Sequence, residues 1–271
     1  MNKTGIQPDK ICSGMYAFNT QLQRAWDTIF DGFYQHLPAP YNRKYKILFE
    51  DQPGSLRQPD VLIGQTCGYP YVMQWQPSHE LVTVPAFNIA GCEGIQYSSW
   101  FICRKNSLFQ SLSDFKSSVA VLNSHDSNSG MNVLRSAISK IADGGSFFER
   151  VLVSDSHLAS IDYVVNGKAD LASIDAVTWH FAIQEGLFNP DSIRIIGQSQ
   201  KTAGLPFIIK RSIDLDSELI RSALNISLQN CPIEIRDFIR IDSFEKVSPE
   251  DYQLTRQLEI EAINLGYPFP A

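Results

Sequence analysis

No apolar run in the chain approaches the roughly 20 residues that a membrane-spanning helix needs, so membrane insertion is not expected. The start, Met1-Asn2-Lys3-Thr4-Gly5-Ile6-Gln7-Pro8, has no apolar h-region. As written it predicts a cytoplasmic location, or a periplasmic one where a leader has been removed. Charged residues make up only 19% and form no block of one sign, and the net charge is −6. That balance argues against nucleic acid as a partner, because such binders carry a basic face. The five cysteines (Cys12, Cys67, Cys92, Cys103, Cys231) are odd in number and form no Cys-x-x-Cys pair. They read as buried thiols in a reducing compartment rather than as a disulfide framework. The five histidines have no i, i+4 pair, so no helical zinc motif is present and neither metal nor cofactor is expected. There is no internal repeat and no linker rich in Pro, Gly or Ser.

What remains is an ordinary globular composition, 44% apolar over 271 residues. That length suits two lobes better than one core. Short apolar runs alternate with helical patterns. Residues 20–36 read as an amphipathic helix, with Leu22, Ala25, Trp26, Ile29, Phe30 and Phe33 at helical spacing. Strands are expected over 11–17, 46–50, 60–64, 81–85 and 97–104. A second series follows, with strands over 118–122, 150–154, 169–174, 193–197 and 205–210. Helices separate them over 129–142, 156–166, 176–185 and 216–229. Gly167 and Gly186 fit the left-handed position that closes a helix.

This alternation predicts an α/β protein of two lobes, with mixed, mostly parallel sheets, helices on both faces and a ligand cleft between the lobes. The expected division is 1–98 with 204–271 as lobe I and 99–203 as lobe II. Hinge strands are expected near 97–104 and 193–206. In such sheets ligands bind beyond the carboxyl ends of strands.

The turns at those ends are polar. Ser124-His125-Asp126-Ser127-Asn128-Ser129-Gly130 leads from a strand into a helix. Ser and Asn suit the N-cap, and Gly130 lets a ligand approach the backbone. Free amides and the helix dipole favour an anion there; a plain capped helix is the alternative. In Ser154-Asp155-Ser156-His157, the histidine in the first turn either donates to an anion or lies on the surface. Asp175 either only caps the helix holding Trp179 or faces a cleft. Gln65-Thr66-Cys67-Gly68-Tyr69-Pro70 is a fourth such turn, in which Thr66 and the Gly68 amide are donors. Cys67 has no histidine near it in sequence to activate it as a nucleophile. Tyr16 and Tyr97, at strand ends, read as core or as cleft lining. Two helix starts and a few charge-assisted bonds supply about the 8 kcal/mol of micromolar binding.

Residues 60–210 resemble the phosphonate/phosphate-type substrate-binding proteins of ABC transporters. The resemblance is carried by Leu62-Ile63-Gly64-Gln65-Thr66-Cys67-Gly68-Tyr69-Pro70, Asp126-Ser127-Asn128-Ser129-Gly130-Met131-Asn132, Ser154-Asp155-Ser156-His157-Leu158-Ala159-Ser160 and Val164-Val165-Asn166-Gly167-Lys168-Ala169-Asp170-Leu171-Ala172-Ser173-Ile174-Asp175. It implies a type 2 periplasmic-binding-protein fold. It implies that Ser127, Asn128, Ser129 and His157 hold a phosphonate-like head, with Tyr16 and Thr66 as helpers from the other lobe and Asp175 facing the rest of the ligand. The function expected is capture of a small phosphonate- or phosphate-like anion by a monomer that serves an ABC permease and performs no catalysis. The alternative is a cytoplasmic enzyme or ligand sensor on the same fold, with His157, Asp175 or Cys67 as its working groups.

Overall fold

A computed structural model of the chain describes residues 7–49, 54–143 and 145–270. Residues 1–6 and the last residue of the strand expected over 46–50 lie outside them. The chain divides into two compact units. The first is Met1–Asn88 with Gly204–Pro249, and the second is Ile89–Ala203 with Glu250–Ala271.

In chain order, the first unit begins with β1 (Lys10–Cys12), α1 (Thr20–Phe33), β2 (Lys46–Leu48), β3 (Val61–Gln65), α2 (Gly68–Pro70) and β4 (His79–Phe87). The second unit holds β5 (Cys92–Glu93), β6 (Gln96–Tyr97), β7 (Ser99–Arg104), β8 (Val119–Leu122), α3 (Val133–Ser139), β9 (Arg150–Val153), α4 (His157–Val165), β10 (Leu171–Asp175), α5 (Ala176–Gln184), β11 (Ile193–Gln198) and β12 (Thr202–Ala203). The chain returns to the first unit with β13 (Phe207–Lys210), α6 (Ser217–Asn230), α7 (Ile233–Ile239) and β14 (Ile241–Glu245). It ends in the second unit with α8 (Gln253–Asn264).

The first unit is built on a sheet of order β14-β4-β13-β3-β1-β2. The apolar stripe read at helical spacing in α1 is its buried face. Trp26 is fully buried, with ring centroids 5.6 Å from Phe30, 5.9 Å from Phe207 and 6.4 Å from Phe244. The second unit has a sheet of order β11-β7-β10-β8-β9 and a small sheet of order β12-β6-β5. Ile102, Val121, Ala172 and Ile174 of its strands pack with Ile161 and Val164 of α4 and Ala182 of α5. Gly167 and Gly186 do close α4 and α5, at φ of 71° and 62°.

Several expectations need correction. The sheets are mixed, but among the described residues antiparallel ladders outnumber parallel ones seven to four. The cause is the chain's path: β13 returns from the other unit and inserts between β3 and β4, antiparallel to both. The strand expected over 11–17 ends at Cys12, and a turn follows in which the Ala17 amide bonds back to Gly14 (3.4 Å). The strand expected over 97–104 is two strands in two sheets, broken where the Ser98 amide donates to the Gly91 carbonyl (2.9 Å). The first change of unit accordingly falls after Asn88, not within 97–104.

Residues 250–271 were expected with the first lobe and belong to the second unit. Buried polar groups hold them there. Asn132 Nδ2 donates to the Thr255 carbonyl (2.9 Å), and Arg135 pairs with Glu259 (3.3 Å) and donates to the Pro268 carbonyl (3.1 Å). The elements α7, β14 and α8, and the short strands β5 and β12, had no sequence expectation.

The aromatic cluster around Trp26 makes a direct prediction. Trp26→Ala removes the largest buried side chain of the first unit and leaves a cavity, which costs about 3–5 kcal/mol in urea unfolding. A loss below about 1 kcal/mol contradicts the packing described.

Candidate functional site

Strand direction positions the site. β10 runs parallel to β8, and β8 parallel to β9. The three turns after these strands therefore lie along one edge of the sheet. Antiparallel β7 begins at that edge, with Ser99 opposite Asp175. Tyr97 lies two residues before Ser99. β11, antiparallel to β7, ends there, and Thr202 follows in the partner strand of Tyr97. The topology thus brings Ser127, Asn128, Ser129, Gly130, His157, Asp175 and Tyr97 to one edge of the second unit.

After β8 the chain does not enter an ordinary α-helix, as the expected helix over 129–142 required. Residues Asn128–Asn132 form a widened π turn, in which the Asn132 amide donates to the Ser127 carbonyl (3.0 Å); α3 continues from Val133. Such turns recur at functional sites. Ser127 caps it, its Oγ accepting from the Gly130 amide (2.9 Å). Gly130 is required by close approach: a Cβ there would lie 1.8 Å from Asn123 Oδ1 and 3.3 Å from His157 Cε1. Ser173 of β10 pins the turn from the sheet, its Oγ donating to the Ser129 carbonyl (2.5 Å). Ser173 alternates with Ala172 and Ile174, so this turn lies on the sheet face opposite α4 and α5.

The hydroxyls of Ser127 and Ser129 are 3.4 Å apart, and Ser129 Oγ is 2.8 Å from His157 Nε2. Both serines are buried and His157 is half-buried. The His157 ring is brought in by a strained corner, with Asp155 at φ 69°, before Ser156 caps α4 by accepting from the Ala159 amide (3.1 Å). Burial pushes the His157 pKa down to about 4, against a smaller upward effect of the Ser173 backbone. The imidazole is therefore neutral at pH 7.

Asn128 has a different place from the one implied for it. Its side chain is fully buried and points into the protein, donating to Tyr97 Oη (3.1 Å) and Thr202 Oγ1 (2.9 Å) while accepting from Asn132 (3.0 Å). Asp175 is buried and caps α5, accepting from the amides of Val177 (2.7 Å) and Thr178 (3.0 Å). Burial first, and the Asp175 charge second, push the Cys92 thiol up to about 12, which keeps it protonated at neutral pH. Thr66 and Tyr16 belong to the first unit. The Thr66 amide donates to the Pro206 carbonyl (3.0 Å), and the Tyr16 ring meets Phe87 edge-on at 5.4 Å.

Asn132, Arg135 and Thr202 join this network without being among the site residues expected from sequence. One signal was available: Arg135 interrupts the apolar face of Val133, Leu134 and Ile138, and an arginine there must find buried partners.

The family model described as "ABC transporter, phosphonate, periplasmic substrate-binding protein" matches residues 17–252. The chain belongs to this family. Members of it capture a small solute for uptake by an ABC permease. Among solved structures, a binding protein component of an ABC phosphonate transporter from Pseudomonas aeruginosa is 18% identical, with a TM-score of 0.72 over 96% of this chain and 88% of that one. PhnD1 from Prochlorococcus marinus, solved with methylphosphonate, is 16% identical, with a TM-score of 0.70 over 94% and 98%. The aliphatic sulphonate binding protein SsuA from Escherichia coli is 13% identical, with a TM-score of 0.58 over 97% and 91%. At these identities the likeness establishes the fold, a periplasmic-binding-protein fold of mixed α/β type. No helix among the described residues is long and apolar enough to cross a membrane.

The two depressed histidines set an acid limit. His157 and His79 both have pKa values near 4, each lowered chiefly by burial from an ordinary 6.5. The unfolded chain binds protons at pH values where the folded chain does not. Their contribution is complete above about pH 6.5 and is lost as pH falls towards 4. His157→Gln is expected to lower the number of protons taken up on unfolding near pH 5 by about one, read from the slope of unfolding free energy against pH. An unchanged slope contradicts a neutral, desolvated His157.

Proposed function

We propose that the second unit grips the oxyanion head of a phosphonate- or phosphate-like solute at the turn Ser127–Gly130, with His157 beside it. The observation that carries this reading is the hydrogen-bonded run Ser127–Ser129–His157 at the start of a helix, on the edge where three parallel strands end. The first-turn amides of a helix have no intrahelical acceptor and carry its positive end. Ser127 occupies the Gly130 amide; the Ser129 amide and the two hydroxyls are donors for ligand oxygens. In the tautomer protonated at Nε2, His157 donates to Ser129 Oγ and the Ser129 proton is left for the anion. Asn128 contributes by shaping the turn, and Tyr97 by its hydroxyl. Asp175, which carries the opposite charge from these donors, faces the part of the ligand beyond the oxyanion.

The same groups support capture without catalysis. A Ser–His pair becomes a nucleophile when the histidine is a competent base oriented by a third group. Here the His157 pKa shift has no carboxylate among its causes, and a base with a pKa near 4 takes a serine proton poorly. Asp175 Oδ1 accepts from the Val177 and Thr178 amides, which fixes its carboxylate at the start of α5 and not against His157. The family description supports a periplasmic location and an ABC permease as partner, and the chain is assigned as a monomer.

Ser129→Asp places a carboxylate against the oxyanion. Methylphosphonate and inorganic phosphate binding, measured by isothermal titration, is expected to fall at least 100-fold with the fold intact by circular dichroism. Unchanged affinity for whichever of the two binds the wild type rejects the site.

A further inference from the structure

Behind the proposed anion site lies a buried chain of side chains whose hydrogen-bond direction is set by one residue. Arg135 is 3% exposed, and a guanidinium only donates. Its Nη2 is 2.6 Å from the Asn132 side chain, so the atom it meets must be the carboxamide oxygen. The other Asn132 atom is then the NH2, which donates to Asn128 (3.0 Å) and to the Thr255 carbonyl (2.9 Å). The Asn128 atom that accepts must be its oxygen. Its NH2 therefore faces the other way and donates to Tyr97 Oη (3.1 Å) and Thr202 Oγ1 (2.9 Å). A guanidinium that only donates and a carbonyl that only accepts fix the Asn132 amide from its two sides, and Asn132 fixes that of Asn128.

The consequence falls on Thr202. Its hydroxyl is 2% exposed and accepts from Asn128, so one lone pair is used and its proton is left to give. Among the described residues that proton has no acceptor. Thr202 lies in the small sheet, paired with Tyr97, just after β11 ends at the edge that carries Ser127 and Ser129, and Asn128 joins it to their turn. Glu259 and the Pro268 carbonyl hold Arg135 from behind.

Resting on the capture reading above, we propose that Arg135 and Asn132 are positioning residues that commit the Thr202 hydroxyl to donate to the bound oxyanion, making Thr202 a ligand contact. A neutral amide oriented the other way would present its oxygen to Thr202 and draw that proton inward. The relay thus selects an acceptor-rich ligand without placing a charged side chain on it.

Titration calorimetry of the full chain with methylphosphonate and inorganic phosphate tests this. Thr202→Val keeps the shape and removes the proton; affinity is expected to fall about 10-fold or more, whereas Thr202→Ser stays within about 3-fold of wild type. Asn132→Asp still accepts from Arg135 but cannot donate to Asn128, which then turns its oxygen towards Thr202. It is expected to weaken binding about as much as Thr202→Val, and the double variant no further than the weaker single. A purely structural Asn132 would give losses that multiply. Wild-type affinity in Thr202→Val, or equal losses in Val and Ser, overturns the proposal even if Asn132→Asp fails to fold. Binding lost in Ser129→Asp but kept in Thr202→Val rejects this inference alone. Binding kept in Ser129→Asp, or absent from the wild type with both anions, rejects the capture reading and this proposal with it.

Discussion

The second unit depends on the parallel pairing of β8 with both β9 and β10. Parallel strands must be joined by crossovers, so each of the three is followed by a helix that begins at the same sheet edge. The amides of a helix start have no partner within the helix. Parallel pairing therefore concentrates unsatisfied donors along one line. The chain answers this with small oxygen-bearing side chains: Ser127 caps the first helix start, Ser156 the second and Asp175 the third. What the caps leave over is the donor capacity on which the proposed anion site rests.

That edge is kept from collapsing on itself by burial of polar groups in a directed network. Asn128 could have spent its amide on a ligand, but it is fully enclosed and bridges the turn to Tyr97 and Thr202. Buried amides are costly unless every donor and acceptor is matched. Partners are supplied by Asn132, Arg135 and Glu259, the last of them from the C-terminal helix. A segment far away in sequence thus becomes part of the support for the turn. The π geometry of Asn128–Asn132 fits the same demand, since the wider turn brings Asn128 and Asn132 into contact while Ser127 still caps Gly130.

Much of the site was legible in residue types. Ser127, Ser129, Gly130 and His157 were marked by small polar residues between an apolar strand and an apolar helical face, and the chain brings them within hydrogen-bonding reach. The helix of Trp26 was legible because six apolar residues repeat at helical spacing, a local signal that needs no partner to be read. Strand direction was not legible. β13 reads as one more buried run, and only its return from the other unit makes it antiparallel to its neighbours. The C-terminal helix was also misplaced, because its attachment rests on Thr255, Glu259 and Pro268 meeting two residues over 120 positions earlier.

Sequence by itself determined the alternation of strands and helices in the second unit and which polar residues stand at the strand-to-helix turns, since hydrophobic periodicity and capping chemistry are local. It also determined the family, through motifs that span the strand-to-helix turns. Tertiary structure decided which way each polar group faces. Asn128 and Ser129 are adjacent and chemically similar in sequence, yet one is locked into the interior and the other meets His157. The reason is physical: a hydrogen bond has a direction, and at Asn128 that direction is imposed by a cation seven residues away, held in place by a helix that sequence separation hides.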